Sequence, residues 1–394
     1  MRWHLRRPAA AVILIISLFM VGLAVAEPFE DATQAYKRGD YETAFSLIKP
    51  LAEKGNAYAQ DGLGLMYENG QGVPQDYAEA VKWYRKAAEQ GNSSSQFKLG
   101  YKYEKGQGVP KDNPEAAKWY RRAAERGNQI AQMSLGIMYE NGQGVPQNYA
   151  EAAKWHLKGA EQGNLICQQK IAFMYEKGQG IPQDYSEAVK WYRRAAEQGD
   201  ADSQNNLGPM YENGQGVPQD YAEAVKWYRK AAEQGNSSSQ FKLGYKYEKG
   251  QGVPKNYTEA AKWYRKAAEQ GNAGSQYNLG RMYSLGQGVP QDYAKAAKWY
   301  SRSAEQGNAG SQYNLGRMYS SGQGVPQDYV MAHMWFNLAS ARLPASARER
   351  RKKAESNRDI VASKMTPAQI AEAQNLAKEW KPKKERRRTA SGVN

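Results

Sequence analysis

The chain has 394 residues and a formal net charge of +15, with 38 Gly, 28 Tyr and 10 Trp against only 7 Phe. Two or three globular domains would be the ordinary expectation at that length, but this glycine and aromatic bias is what a short motif copied many times produces. Three His (His4, His156, His333) and one Cys (Cys167), scattered along the chain, argue against a His/Cys zinc site, a Cys–His nucleophile pair or a disulfide framework. No metal or cofactor is expected.

The first element in chain order is a leader. Arg2, Arg6 and Arg7 precede an apolar run from Ala9 to about Val25 that ends in Ala24-Val25-Ala26 before Glu27. These are the charged, apolar and small-residue parts of a secretory signal peptide, and the run is short for a spanning helix. Residues 1–26 are therefore expected to be removed, leaving a periplasmic or secreted chain that begins at Glu27 and has no transmembrane segment. No Cys follows the run, as a lipoprotein would require, and Leu5 and Pro8 do not fit a twin-arginine signal.

Residues 27–55 come next. Ala35-Tyr36-Lys37-Arg38-Gly39-Asp40-Tyr41-Glu42-Thr43-Ala44 reads as a tight helix pair that caps the front of a repeat array. Over 56–343 a single unit recurs. Trp83, Trp119, Trp155, Trp191, Trp227, Trp263, Trp299 and Trp335 are spaced by 36 residues, and so are the prolines from Pro74 to Pro326 and the glycines from Gly55 through Gly91 to Gly307. Residues 66–111 recur unchanged at 210–255, and 272–284 at 308–320, so recent duplication built part of the array.

Each of the eight repeats reads as two helices. Asn56, Asn92, Asn128, Asn164, Asp200, Asn236, Asn272 and Asn308 follow a helix-ending Gly and are placed to cap helix A. Helix A stops at a Gly-Gln-Gly-Val-Pro or Gly-Gln-Gly-Ile-Pro loop, where proline and two glycines forbid continuation. Asp76 and its equivalents then cap helix B, six of them with Glu three residues on in the spacing of a capping box. In helix B, Tyr77, Ala80, Trp83, Tyr84, Ala87 and Ala88 form one apolar stripe, with Gly100 and Ala80 small enough for close helix approach. No unit could bury that stripe alone, so the array must stack into an all-α solenoid whose stability sums over neighbour interfaces. The period breaks at Leu343-Pro344. Residues 344–380 read as C-terminal capping helices, the last opened by Thr366-Pro367-Ala368-Gln369, and 381–394 read as a disordered basic tail. The body is almost neutral, whereas residues 341–394 hold 15 basic and 6 acidic side chains.

The recurring Leu-Gly-x-Met-Tyr … Gly-Gln-Gly-Val-Pro-Gln-Asp-Tyr … Ala-x-x-Trp-Tyr … Ala-Ala-Glu-Gln-Gly-Asn closely resembles the SEL-one-like repeat, a branch of the tetratricopeptide superfamily. Residues 35–55 look like an ordinary tetratricopeptide unit. The resemblance implies a right-handed superhelix of antiparallel helix pairs that serves as a scaffold for protein complexes, linked in exported bacterial members to envelope processes, signalling and host contact. One secreted branch carries a cysteine pair in each repeat and is associated with penicillin binding. This chain departs from it, having Cys167 alone.

Signals of chemistry are weak. Ser95-Gln96-Phe97-Lys98, its copy Ser239-Gln240-Phe241-Lys242 and Ser46-Leu47-Ile48-Lys49 match Ser-x-x-Lys, but the Lys-Thr-Gly strand motif is absent. Ser95 also aligns with Ala59, Ala131 and Cys167, a position that wants a small side chain. The Gly-Gln-Gly loops lack a following Gly-Lys-Ser/Thr and recur in every unit, so they read as turns. The expectation is a non-enzymatic protein-interaction scaffold; the alternative is an envelope enzyme or binder acting on peptidoglycan or β-lactams. The basic tail offers weak contact with an anionic surface, and export argues against nucleic acid as its partner.

A partner is expected along helix A. The residue before the small-Leu pair varies (Phe97, Met133, Gln169, Asn205, Phe241, Tyr277, Tyr313), as does the residue four later (Leu65, Tyr101, Ile137, Phe173, Pro209, Tyr245, Arg281, Arg317). One helical turn apart, they form a ladder that family resemblance places on the concave side. The candidate contact residues are Phe97, Tyr101, Phe241, Tyr245, Tyr277, Asn278, Arg281, Tyr313, Asn314 and Arg317. Pro209 is expected to kink its helix.

Overall fold

A computed structural model describes residues 23–383 of the protein. The basic start of the expected leader, most of its apolar run, and the tail from Lys384 lie outside the described residues. The chain divides into two compact units, one ending at Gln183 and the other beginning at Asp184. The first unit holds α1 (Leu23–Lys37), α2 (Tyr41–Glu53), α3 (Ala57–Asn69), α4 (Tyr77–Glu89), α5 (Ser93–Lys105), α6 (Asn113–Glu125), α7 (Gln129–Asn141), α8 (Tyr149–Glu161) and α9 (Leu165–Lys177). The second holds α10 (Tyr185–Glu197), α11 (Ala201–Asn213), α12 (Tyr221–Glu233), α13 (Ser237–Lys249), α14 (Tyr257–Glu269), α15 (Ala273–Leu285), α16 (Tyr293–Glu305), α17 (Ala309–Ser321), α18 (Tyr329–Arg342), α19 (Arg348–Ala362) and α20 (Pro367–Glu379). No strand occurs among the described residues, and the architecture is an all-α solenoid of consecutive helix pairs. None of these helices is long and apolar enough to cross a membrane.

The punctuation read from the sequence acts as expected at both helix starts. Asn56 accepts the Tyr58 and Ala59 N–H groups at 3.0 Å, and Asp76 accepts those of Ala78 and Glu79 at 2.8 and 3.0 Å. The capping box does not form in helix B. The Asp76 N–H donates to Tyr67 O of helix A at 2.9 Å, so Glu79 has nothing to reach back for and instead takes Lys82 at 2.5 Å. Only Thr366 and Gln369, at the start of α20, close a full box among the described residues.

The two loop glycines do different work. Gly106 ends α5 in the left-handed region (φ 69°), its N–H satisfying Lys102 O. Gly108, also left-handed at φ 75°, lies so close to the start of the preceding helix B that an added Cβ would sit 2.2 Å from Tyr77 O. A side chain there would push consecutive repeats apart.

Packing follows the small-residue pattern. An added methyl at Gly100 would be 2.8 Å from the Tyr120 ring and 3.2 Å from Ala116 O, so helices A and B of one repeat nearly touch. Leu99 and Tyr120 are buried there, as are Leu279 and Tyr300 in the second unit. Pro209 lies inside α11, which continues through it.

The C-terminal cap extends further than the sequence implied. Trp380 meets Trp335 edge-on at 6.3 Å and is covered by the Arg342 guanidinium at 4.3 Å. Lys383 then donates its N–H to Glu305 O at 2.8 Å and its ammonium to Glu305 Oε2 at 2.9 Å. The expectation of an undocked tail from Lys381 therefore fails for its first residues, because an acidic side chain at the end of α16 lies within reach of a basic one.

Candidate functional site

The ladder on helix A is real in spacing but not all of it is free. Phe97 stacks on Tyr120 at 5.6 Å, Phe241 on Tyr264 at 5.9 Å, Tyr277 on Tyr300 at 6.0 Å and Tyr313 on Phe336 at 5.7 Å. Phe241 and Tyr277 also lie against the next helix A, near Gly274 and Gly310. These half-buried rings spend one face on packing within and between repeats. One turn further on, Tyr245 and Phe173 are exposed at 40% and 44%, while Tyr101 is half-buried beside Lys105. Asn278 and Asn314 are half-buried, and Arg317 is exposed.

Arg281 does not fit the expectation of a spare guanidinium. It pairs with Glu248 of the preceding repeat at 2.7 Å, and Glu248, almost fully buried, also accepts the Tyr264 hydroxyl at 3.0 Å. This relay recurs. Glu68 takes Tyr84 O–H at 2.6 Å and Lys102 at 2.7 Å; Glu140 takes Lys170 at 2.6 Å with His156 in the tyrosine's place at 3.3 Å; Glu212 takes Lys246 at 2.6 Å. Each carboxylate thus ties helix B of its own repeat to helix A of the next. Burial, followed by the Glu248 charge, pushes the Tyr264 hydroxyl far above its ordinary range. Burial raises the Glu140 carboxyl, but hydrogen bonds from His156 and Lys170 outweigh it and hold the group low.

A second polar link joins neighbouring helix A segments. Asp61, almost fully buried, accepts Ser95 O–H at 2.6 Å and the Lys98 ammonium at 2.8 and 2.9 Å. In the duplicated segment Asn205 stands in that role, 2.9 Å from Ser239 Oγ and 3.1 Å from Lys242. These two Ser-x-x-Lys motifs are therefore structural: Ser95 and Ser239 are buried, and each shares with its Lys a partner from the preceding repeat. Ser46 donates to Thr43 O at 2.8 Å while Lys49 lies over Phe45. Cys167 is buried, which pushes its thiol up to about 12 and keeps it from acting as a thiolate.

A third link is a ladder of buried glutamines that the sequence analysis does not single out. Gln60, Gln96, Gln132, Gln168, Gln204, Gln240, Gln276 and Gln312 stand at the same period, and each donates to a carbonyl of the preceding helix, as Gln96 does to Ala88 O at 3.0 Å. Gln90 and Gln270 extend the chain by donating to Gln60 and Gln240 at 2.7 Å. The unbroken period of a glutamine at the fourth position of helix A is the available signal.

Helix pairs whose helix-B apolar faces are consumed by stacking, and whose helix-A surface varies from repeat to repeat, define a repeat scaffold of the kind that binds proteins. Comparison with known families specifies it. The Sel1 repeat matches residues 57–92, 93–128, 129–164, 166–200, 201–236, 237–272, 273–308 and 309–342, and the chain belongs to that family. Sel1 repeat proteins are generally protein-interaction scaffolds, and the fold is typically non-catalytic. The crystal structure of a Sel1 repeat protein from Oxalobacter formigenes is similar at 30% identity and a TM-score of 0.62, over 86% of this chain and 98% of that one. A protective antigen of uropathogenic Escherichia coli strains displaying an SLR fold is 34% identical over 90% of this chain and 91% of that chain, with a TM-score of 0.49. Among curated proteins, the rat DAP3-binding cell death enhancer 1 is 39% identical over 69 residues, which is 18% of this chain and 13% of that protein. The chain thus matches about an eighth of that relative's length.

Proposed function

We propose that the chain is an exported, non-catalytic scaffold that gathers a protein or peptide partner along the helix-A surface. The observation that carries this reading is the pattern of exposure: the helix-B stripes are spent on stacking, while Phe173 and Tyr245 stand 44% and 40% exposed at one helix-A position in different repeats. Large aromatics at exposed, repeated positions are the residues from which binding hot spots are built. The export half of the proposal rests on Arg2, Arg6, Arg7 and the apolar run ending at Ala26. The basic C-terminal segment adds weak, salt-sensitive attraction to anionic surfaces.

Two measurements test it. Intact-mass analysis of the protein from an extracytoplasmic fraction should give a chain beginning at Glu27; retention of Met1 overturns the leader reading. Proximity labelling by the exported wild-type protein should mark partners whose labelling falls when Phe173 and Tyr245 are both replaced by Ser. Equal labelling by that variant, with the helical signal intact, places the surface elsewhere.

A further inference from the structure

The Tyr–Glu–Lys/Arg relay stops before the end of the array. Glu248 engages both Tyr264 and Arg281, but 36 residues further on the carboxylate is replaced by Ser284, whose hydroxyl donates to Arg281 O at 2.9 Å. Arg317, the register mate of Arg281, consequently forms no ion pair among the described residues. It lines instead a cleft of about 840 Å³ bounded by α15 to α19.

The lining of that cleft is one-sided in charge. Arg317 is its sole charged residue among the described ones, beside Asn314, Ser320, Tyr300 and Asn357. Asn357 uses an amide hydrogen on Tyr313 Oη at 3.1 Å, which fixes the side chain while leaving its other hydrogen for a ligand. Of the apolar side chains that line the same space, two are exposed, Leu285 at 55% and Ile360 at 54%.

We propose that this cleft binds an acidic side chain, Glu or Asp, carried on an extended peptide segment of the partner whose apolar neighbours cover Leu285 and Ile360. The proposal rests on the scaffold reading above and names the partner chemistry of one of its sites. Charge decides the class. A basic segment would meet Arg317 head-on, and a wholly apolar one would bury the guanidinium and the amides without partners, which is costly. A carboxylate supplies the group that the repeat itself supplies one unit earlier, in a geometry a guanidinium can grip with two hydrogen bonds. The volume is too large for a lone carboxylate and suits a segment of several residues.

The neighbouring repeat also provides the test. Ser284→Glu restores the repeat's own carboxylate beside Tyr300 and Arg317, neutralising the site from within. Fluorescein-labelled peptide pools, blocked at both ends and carrying a central Glu, Gln or Lys between Leu residues, are titrated into the full chain by fluorescence anisotropy. A further pool has central Gln and a free C-terminal carboxylate. The Glu pool should bind at least roughly tenfold more tightly than the Gln or Lys pools, as loss of one charge-assisted pair predicts. Ser284→Glu and Arg317→Met should each abolish that preference, with the melting temperature unchanged for Arg317→Met and unchanged or raised for Ser284→Glu. Equal binding of Glu and Gln pools, or undiminished Glu-pool binding by Ser284→Glu, overturns the proposal; binding of the free-terminus pool alone overturns it in favour of a chain-terminal carboxylate. If partners labelled by the wild-type protein are labelled equally by Ser284→Glu, the cleft proposal falls while the scaffold stands. If the wild-type protein labels none, the scaffold reading falls as well.

Discussion

Helices α5 and α13 carry the same thirteen-residue sequence in two settings, which makes an internal experiment. Ahead of α5 the polar bridge is Asp61; ahead of α13 it is Asn205. Replacing Asp61 by Asn removes one negative charge from three bonds of 2.6 to 2.9 Å while keeping a shape that the second unit already accommodates. Hydrogen bonds to charged groups contribute about 1.5–3 kcal/mol each against about 0.5–1.5 for neutral ones. Part of the difference is returned because an amide is easier to desolvate than a carboxylate. The net cost should be about 1–3 kcal/mol, localised at α3 and α5. Asn205→Asp should act in the opposite sense and more weakly, about 1 kcal/mol, because the Glu212 charge already acts on Lys242. Burial lowers the Lys242 pKa, so the unfolded chain holds that proton more tightly, and this group's contribution to stability rises with pH from its folded pKa towards the ordinary 10.5. Asn205→Asp should flatten that rise. Stacked repeats open locally, so native-state hydrogen exchange of the α5 and α13 amides is the appropriate assay. Exchange in α5 should accelerate roughly ten- to a hundredfold in Asp61→Asn. Unchanged α5 exchange, or the same sign for both substitutions, would show that the bridge is set by shape and not by charge.

Gly108→Ala should destabilise by about 3 kcal/mol or more, since its Cβ would lie 2.2 Å from Tyr77 O, whereas Gly127→Ala, with open space around φ 85°, should cost only the left-handed penalty of about 1–2 kcal/mol; urea melts distinguish the two. Arg281→Ala should lower stability by about 1–3 kcal/mol by leaving the nearly buried Glu248 with only the Tyr264 hydroxyl and a longer contact to Lys249, while Arg317→Ala, with no ion pair to lose among the described residues, should leave the melting temperature almost unchanged. Among the described residues, truncation after Trp380 removes one exposed ion pair and one backbone hydrogen bond to Glu305 and should cost about 1 kcal/mol, whereas Trp380→Ala, which uncovers Trp335 and Arg342, should cost more in calorimetry. Burial pushes Tyr300 up to about 12 and Tyr84, Tyr120, Tyr228 and Tyr264 well above 10, so the unfolded chain loses these protons first. Stability from them is complete below pH 10 and lost as pH rises through the folded values, so an alkaline titration should show tyrosine ionisation and helix loss together. Independent ionisation with the helices intact would refute it.

Much of the fold was legible because its determinants are local. Asn caps, left-handed glycines and the helix-B stripe act within a few residues, and their 36-residue period made each visible eight times over. What was not legible depended on the next repeat. The capping-box spacing at Asp76 and Glu79 was present, but the backbone N–H it required had been taken by Tyr67. Arg281 and Arg317 looked identical because they lie in duplicated sequence, and only the residue packed against each, Glu248 or Ser284, separates a structural group from an available one. The rings at Phe97, Phe241, Tyr277 and Tyr313 similarly read as surface from helix A alone. Their packing against helix B becomes apparent only when the two helices are paired.

Copying a repeat copies both halves of every internal contact, but it preserves a contact between repeats only where the neighbour is copied as well. At the front edge of the duplicated block the rule shows itself: Lys98 inherits Asp61, whereas its copy Lys242 meets Asn205. At the back of the array it shows again, where Arg317 meets Ser284 after Arg281 had met Glu248. A mismatch of this kind has two physical outcomes. Where the group is half-buried and meets a neutral partner, as Lys242 does, the cost appears as a lowered pKa. Where it is exposed on a cleft, as Arg317 is, water relieves the cost and the group becomes available to a ligand. Divergence between repeats therefore releases a group from a stacking contact without altering the fold, and the place to look for recognition in such an array is where the period holds but the partner does not.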